Sequence, residues 1–414
     1  MRNINKKIRY LMYINGFCKN LPKYMGMILL FVFLHISSSS AENVRLQFAT
    51  SNQNVIDSPH IHGARSRDWA RASYENSFGD IDFGLSLLAD GQNRSFSADG
   101  SYADLNFGNW KLGIGAVDRL WSFSPHTSLI LSRNARPVPS VYIKKDELTR
   151  FASPLLSWVG PWNGEVFLGV DSQSRAFEDV YFFGARLVFE PFSDLQVELL
   201  RSAQFTGGAA SFGGVVLGDT NEGTAEEANQ MAGVGASYRW DRSRFYVQAV
   251  GEDEAGGLPS CWFYLVGAER ETLINGTDAV LSIEVVDTRV GFTDGGFCGP
   301  NTAYNNGRHP YTYDGAVMGA PIDSEGKSVN LRGTHDLNTI DVDWGLGHYV
   351  INDSDAASHR LSNERVTGYV AHLGLKKQFA DLQLGGRLTY QGFNLNQDDV
   401  KRGLAVSLFA ERQF

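Results

Sequence analysis

These 414 residues contain only three cysteines, no apolar run long enough to cross a bilayer as a helix, and no recognisable catalytic motif. Each shortage narrows what the chain can be. A membrane-spanning helix needs about 20 apolar residues, and the one clearly apolar run, 27–34, falls far short of that. There is no Gly-x-Ser-x-Gly elbow and no His-Glu-x-x-His pair. Gly326, Lys327 and Ser328 resemble the end of a phosphate-cradling loop, but Pro321 stands where its first glycine is required. Nucleotide chemistry is therefore not expected, and no cofactor or metal is implied.

The first 41 residues differ from the rest. Lys6, Lys7, Arg9, Lys19 and Lys23 precede the apolar run, and Ser39 and Ala41 supply the small residues that a signal peptidase reads. The pattern predicts an exported protein cleaved after Ala41, with the true start at Met1, Met12 or Met25, and one mature domain over 42–414. Cys18 lies before the apolar run rather than at its end, which disfavours a lipid anchor. Without the leader, 31 Lys and Arg face 46 Asp and Glu, a net charge of −15 that repels nucleic acid. The two cysteines left, Cys261 and Cys298, read as one disulfide in an oxidising compartment.

What the mature chain does have is strict alternation. Leu195, Val197 and Leu199 interleave with Gln196 and Glu198, and Ala279, Leu281, Ile283 and Val285 interleave with Asp278, Ser282 and Glu284. A period of two means strand. Near the end, Leu382, Leu384, Gly386, Leu388 and Tyr390 form one row while Gln383, Gly385, Arg387, Thr389 and Gln391 form the other. An apolar face toward lipid and a polar face toward a watery lumen produce this pattern, with aromatics at the strand ends. A two-sheet sandwich gives similar alternation, so the C-terminus decides. Leu404, Val406, Leu408 and Ala410 lead to a terminal Phe414, the kind of ending that outer-membrane barrel-insertion machinery recognises, although Arg412 breaks the row.

The expectation is an all-β protein: a transmembrane antiparallel barrel of about 18 strands in the outer membrane of a Gram-negative cell. With the last strand running toward the periplasm, both termini are periplasmic. Tight connections then fall on that side, near Gly79 and Asp80, at 107–109, 241–243, 275–276 and 378–381. Long polar connections fall outside, at 121–136, 206–228, 251–260, 291–309, 352–364 and 396–403. Both cysteines land at the outer end, where a disulfide would tie a loop to a neighbouring strand.

Three segments are more specific than loops need to be: 115–119 continuing to 134–140, 158–162 (Trp-Val-Gly-Pro-Trp), and 251–260 (Gly-Glu-Asp-Glu-Ala-Gly-Gly-Leu-Pro-Ser). With Asn229-Gln230-Met231-Ala232-Gly233, Tyr304-Asn305-Asn306, and Tyr311-Thr312-Tyr313 leading to Asp323-Ser324, they make the sequence resemble the capsule assembly protein Wzi family from about residue 95 to 330. The resemblance implies an outer-membrane lectin that holds capsular polysaccharide, or another exopolysaccharide, at the cell surface. The family usually opens with a periplasmic helical region, whereas here Val44, Leu46 and Phe48 already alternate as a strand.

Candidate contacts to an acidic polymer are Arg133 and Arg136, because guanidinium grips carboxylate in a two-pronged fork. Trp121, Tyr304, Tyr311 and Tyr313 offer faces on which pyranose rings can stack. Glu252, Asp253 and Glu254 either accept bonds from sugar hydroxyls or fold their loop inward on barrel arginines. A monomer in outer-membrane lipid without catalysis is expected. The rival readings are a porin or sugar-selective channel, and a lipid-modifying enzyme. The latter would need a serine beside His348 or His372, which read more simply as lumen-facing polar residues.

Overall fold

The computed structural model describes residues 43–414 except 57–66, 92–94, 172–179, 207–227, 253, 256–257, 293–297, 308 and 397–399. The proposed leader therefore lies outside the described residues. Eighteen antiparallel strands close into a barrel: β1 Val44–Ser51, β2 Trp69–Phe78, β3 Ile81–Asp90, β4 Tyr102–Phe107, β5 Trp110–Gly115, β6 Ser140–Arg150, β7 Pro161–Asp171, β8 Val180–Phe192, β9 Leu195–Thr206, β10 Asn229–Trp240, β11 Ser243–Glu252, β12 Trp262–Ile274, β13 Thr277–Asp287, β14 Lys327–Asp336, β15 Asp341–Ile351, β16 Val366–Phe379, β17 Leu382–Gln391 and β18 Gly403–Gln413. A nineteenth, short strand, Ser95–Ser97, extends the sheet along β3. Each strand pairs with its chain neighbours, and β1 pairs with β18 from Arg45 opposite Gln413 to Ser51 opposite Ser407. Closure gives each of the eighteen barrel strands a partner on both sides, which a bilayer requires because lipid cannot satisfy a free peptide group.

The expected alternation holds residue by residue. Leu384, Leu388 and Tyr390 of β17 point outward and are exposed, whereas Thr389 and Gln391 point in and are buried. On β18, Leu404, Val406 and Leu408 continue the outer row. Such side chains would be costly in water and are at home in hydrocarbon. Phe78, Phe107, Phe192, Trp240 and Phe379 stand exposed at the strand ends beside the tight turns, as a girdle of interfacial aromatics. Arg412 interrupts the apolar row only at this rim, where it pairs with Asp381 at 2.7 Å and lies over the Phe414 ring.

The tight connections all lie at one end, with both ends of the barrel, Val44 and Gln413, beside them. Asp241, Asn275 and Ala380 adopt positive φ there, as does Gly79, the left-handed conformation that two-residue hairpins demand. The long connections all lie at the other end. Cys261 and Cys298 form the disulfide, joining the start of β12 to the 288–326 connection.

Candidate functional site

Two of the long connections do not stay outside. The described residues of 116–139 and 288–326 enter the barrel and pack on each other as a plug, around Leu129, Ile130, Tyr304, Tyr311, Met318 and Ile322, all essentially inaccessible. Backbone bonds join the halves: Ser132 N–H donates to Met318 O at 2.7 Å, and the Ser132 hydroxyl donates to Gly319 O. The Tyr304 hydroxyl donates to Leu129 O at 2.6 Å and the Tyr311 hydroxyl to Ile130 O at 2.7 Å. Burial pushes both phenols well above their ordinary pKa, so they remain neutral donors.

The inward polar row of the wall holds this plug. The Gln248 amide donates to Trp121 O and its oxygen accepts from Leu129 N–H, both at 2.7 Å. Its amide also donates to Glu198, which is 0 % exposed and takes a second charge-assisted bond from Arg186 at 2.7 Å. Arg244 donates to Phe123 O at 2.6 Å, and Arg119 pairs with Glu165 at 2.6 Å while lying 4.1 Å over the Phe167 ring. Buried charges survive only when satisfied in this way. An aromatic layer runs from Trp121 through Phe167 and Phe182 to Tyr311. It approaches the wall at Gly184, where an added Cβ would stand 2.3 Å from the Phe167 ring.

This arrangement separates the sequence-selected residues. Trp121, Tyr304, Tyr311 and Tyr313 lie inside the plug, with their rings against protein. Glu252 is also buried, its carboxylate accepting from the Tyr304 amide. Asp253 lies outside the described residues, and for Glu254 only the backbone is described, in a two-residue strand pairing with Pro259. Arg136 reaches the loop-end surface, where Asp99 takes a two-pronged bond at 2.7 and 3.1 Å and Asp314 a third at 3.2 Å. Those carboxylates hold its guanidinium above its ordinary pKa. Arg133, three residues earlier, points the opposite way, into the lumen below the plug.

Sequence reasoning missed a second loop-end cluster. Arg360 pairs with Asp323 and donates to Asn305 at 3.2 Å. Nearby in the same connections, Asp353 accepts from Arg365 at 2.7 Å and Arg289 at 2.9 Å, which holds its carboxyl below its ordinary value. No period marks such a cluster, because its members come from two separate connections.

A single-chain barrel with an apolar belt, aromatic girdle and plugged lumen defines the class: an outer-membrane β-barrel protein. The family model for the capsule assembly protein Wzi matches residues 37–342, and the chain belongs to that family. It is 33% identical over 207 residues to an uncharacterized 55.8 kDa protein in the cps region of Klebsiella pneumoniae, a match covering 47% of this chain and 41% of that one. The match thus spans less than half of that relative. The fold is similar to solved Wzi of Escherichia coli, an outer-membrane protein involved in group 1 capsule assembly and a carbohydrate-binding β-barrel. The TM-score is 0.78 at 22% identity, covering 93% of this chain and 87% of that one.

Proposed function

We propose that this protein binds capsular polysaccharide, or another exopolysaccharide, on its loop-end face and anchors it at the surface of a Gram-negative cell. It works without catalysis, as a monomer held in outer-membrane lipid. The tight turns and both barrel ends face the periplasm, and the loop end faces outward. The observation that carries this reading is the plug. A lumen filled by Tyr304, Tyr311, Leu129 and Ile130 is suited to supporting a binding face rather than to conducting sugars.

On that face, Arg136 with Asp314 and Arg360 with Asn305 present charge and amide groups at fixed positions. Guanidinium paired on one side can still fork onto a sugar carboxylate, and amide and carboxylate oxygens accept from hydroxyls. Trp121, Tyr304, Tyr311, Tyr313 and Glu252 act one layer below, by holding the loops that carry these groups.

Deleting the gene in the native host, and measuring cell-attached against shed polysaccharide, tests the reading. Attached polymer falls while total synthesis stays normal, wild type restores it, and a double Arg136→Ala, Arg360→Ala variant restores it poorly. Unchanged attachment in the deletion strain would sink the reading.

A further inference from the structure

Below the plug, on the tight-turn side of the lumen, lies a cavity of about 290 Å³ that the loop-end face does not use. Its roof is plug: Pro125, His126, Arg133 and Pro321. Its wall is Arg332 and Gly333 of β14, Asp343 and Trp344 of β15, His372 of β16 and Arg387 of β17. Gly333 and Trp344 are each within four residues of the 337–340 turn, so the cavity belongs to the tight-turn mouth.

We propose that this cavity is a second saccharide site, for a carboxylate-bearing pyranose presented from the tight-turn side. Trp344 supplies the platform. Its indole lies along the β14 backbone at Gly333, where an added Cβ would sit 2.4 Å from the ring, and its N–H donates to His335 at 2.9 Å. The ring is thereby fixed in place as part of the cavity lining. Flat apolar ring faces against pyranose C–H groups, flanked by a few placed polar groups, make a sugar site.

The charge selects an acidic sugar. Arg387 is committed to Asp343, which also faces His372 at 3.5 Å, and Arg332 faces the buried Glu284 at 3.9 Å. Arg133 is exposed in the cavity and pairs with no carboxylate among the described residues. Among the described residues, three guanidiniums thus meet two carboxylates, in a chain whose net charge is −9. A separate cavity of about 570 Å³ at the same mouth, walled by β2 to β7, has the opposite balance, with Glu75, Asp82, Asp104, Asp118 and Glu165 against Lys111, Lys144 and Arg119. A carboxylate is drawn to the first and repelled from the second.

The site deepens the polysaccharide reading and rests on it. Its test is separate: titration of purified full-length protein in detergent with D-glucuronate, D-glucose and acetate, followed by saturation-transfer NMR. Glucuronate binds, while glucose and acetate each bind at least roughly tenfold more weakly, because each lacks one half of the recognition. Arg133→Ala weakens glucuronate by roughly tenfold, the loss of one charge-assisted fork. Trp344→Phe, which keeps a ring over Gly333, weakens it by a smaller factor. Arg150→Ala, which removes an exposed cation elsewhere at the same mouth, leaves it unchanged. Equal binding of acetate, equal binding of glucose, or an unaffected Arg133→Ala variant would each overturn the site. None of these outcomes touches surface attachment, which fails or survives on the loop-end variants alone.

Discussion

Two sets of polar side chains inside the lumen, those that hold the plug and those that line its cavities, do different work. In the first set, Gln248, Glu198, Arg186 and Arg244 are all spent on plug carbonyls, amides and each other. In the second set, Arg133, Glu75 and Asp118 line cavities open to solvent. The contrast teaches where stability and binding are separable: changes in the first set should be felt as folding, and changes in the second as affinity.

The strongest way to break that division is to unpair Glu198. Arg186→Ala leaves a fully buried carboxylate without its cation, which costs about 3–5 kcal/mol. Hydrogen exchange should show the 121–131 segment loosening while the strands stay protected; an unaffected plug would mean that Arg186 is not its anchor. The double Cys261→Ser, Cys298→Ser variant removes a closure across 37 residues of sequence separation, worth up to about 4 kcal/mol in chain-entropy terms. Limited proteolysis should cut 288–326 faster and leave the tight turns untouched.

Acid provides a smaller, reversible version. Asp353 has a depressed pKa through Arg365 and Arg289. Its contribution is therefore complete above the ordinary carboxylate value of about 3.9 and is lost as pH falls through the lowered folded-state value. Protection from exchange at 352–365, relative to the intrinsic rate at each pH, should fall in that window and stay flat from pH 5 to 8. The smallest effect is expected below the plug, where Arg133→Ala should change stability by less than about 0.5 kcal/mol, as chemical denaturation would read. A larger loss would place Arg133 among the structural residues instead.

The barrel was legible because lipid and lumen impose a period of two on every strand, and tight turns punctuate it. Ile283 outward against Ser282 and Glu284 inward is that rule made visible. The plug was not, because 116–139 and 288–326 have no period to read. Trp121, Tyr304 and Tyr311 were singled out as aromatics in loops, and a ring suited to a sugar is equally suited to a core. One signal was present: Leu129-Ile130-Leu131 is an apolar run that an exposed loop would not carry. Arg133 and Arg136 were paired by type and proximity, and only the path of the chain through the lumen puts them on opposite sides of the plug.

Conductance of the purified protein in a planar bilayer tests the plugged barrel most directly. The account predicts a silent wild type, and channel openings once residues 121–136 are replaced by a short glycine-serine linker that leaves the strands intact. Steady ohmic conductance from the wild type would contradict it, and would make the lumen a path rather than a support.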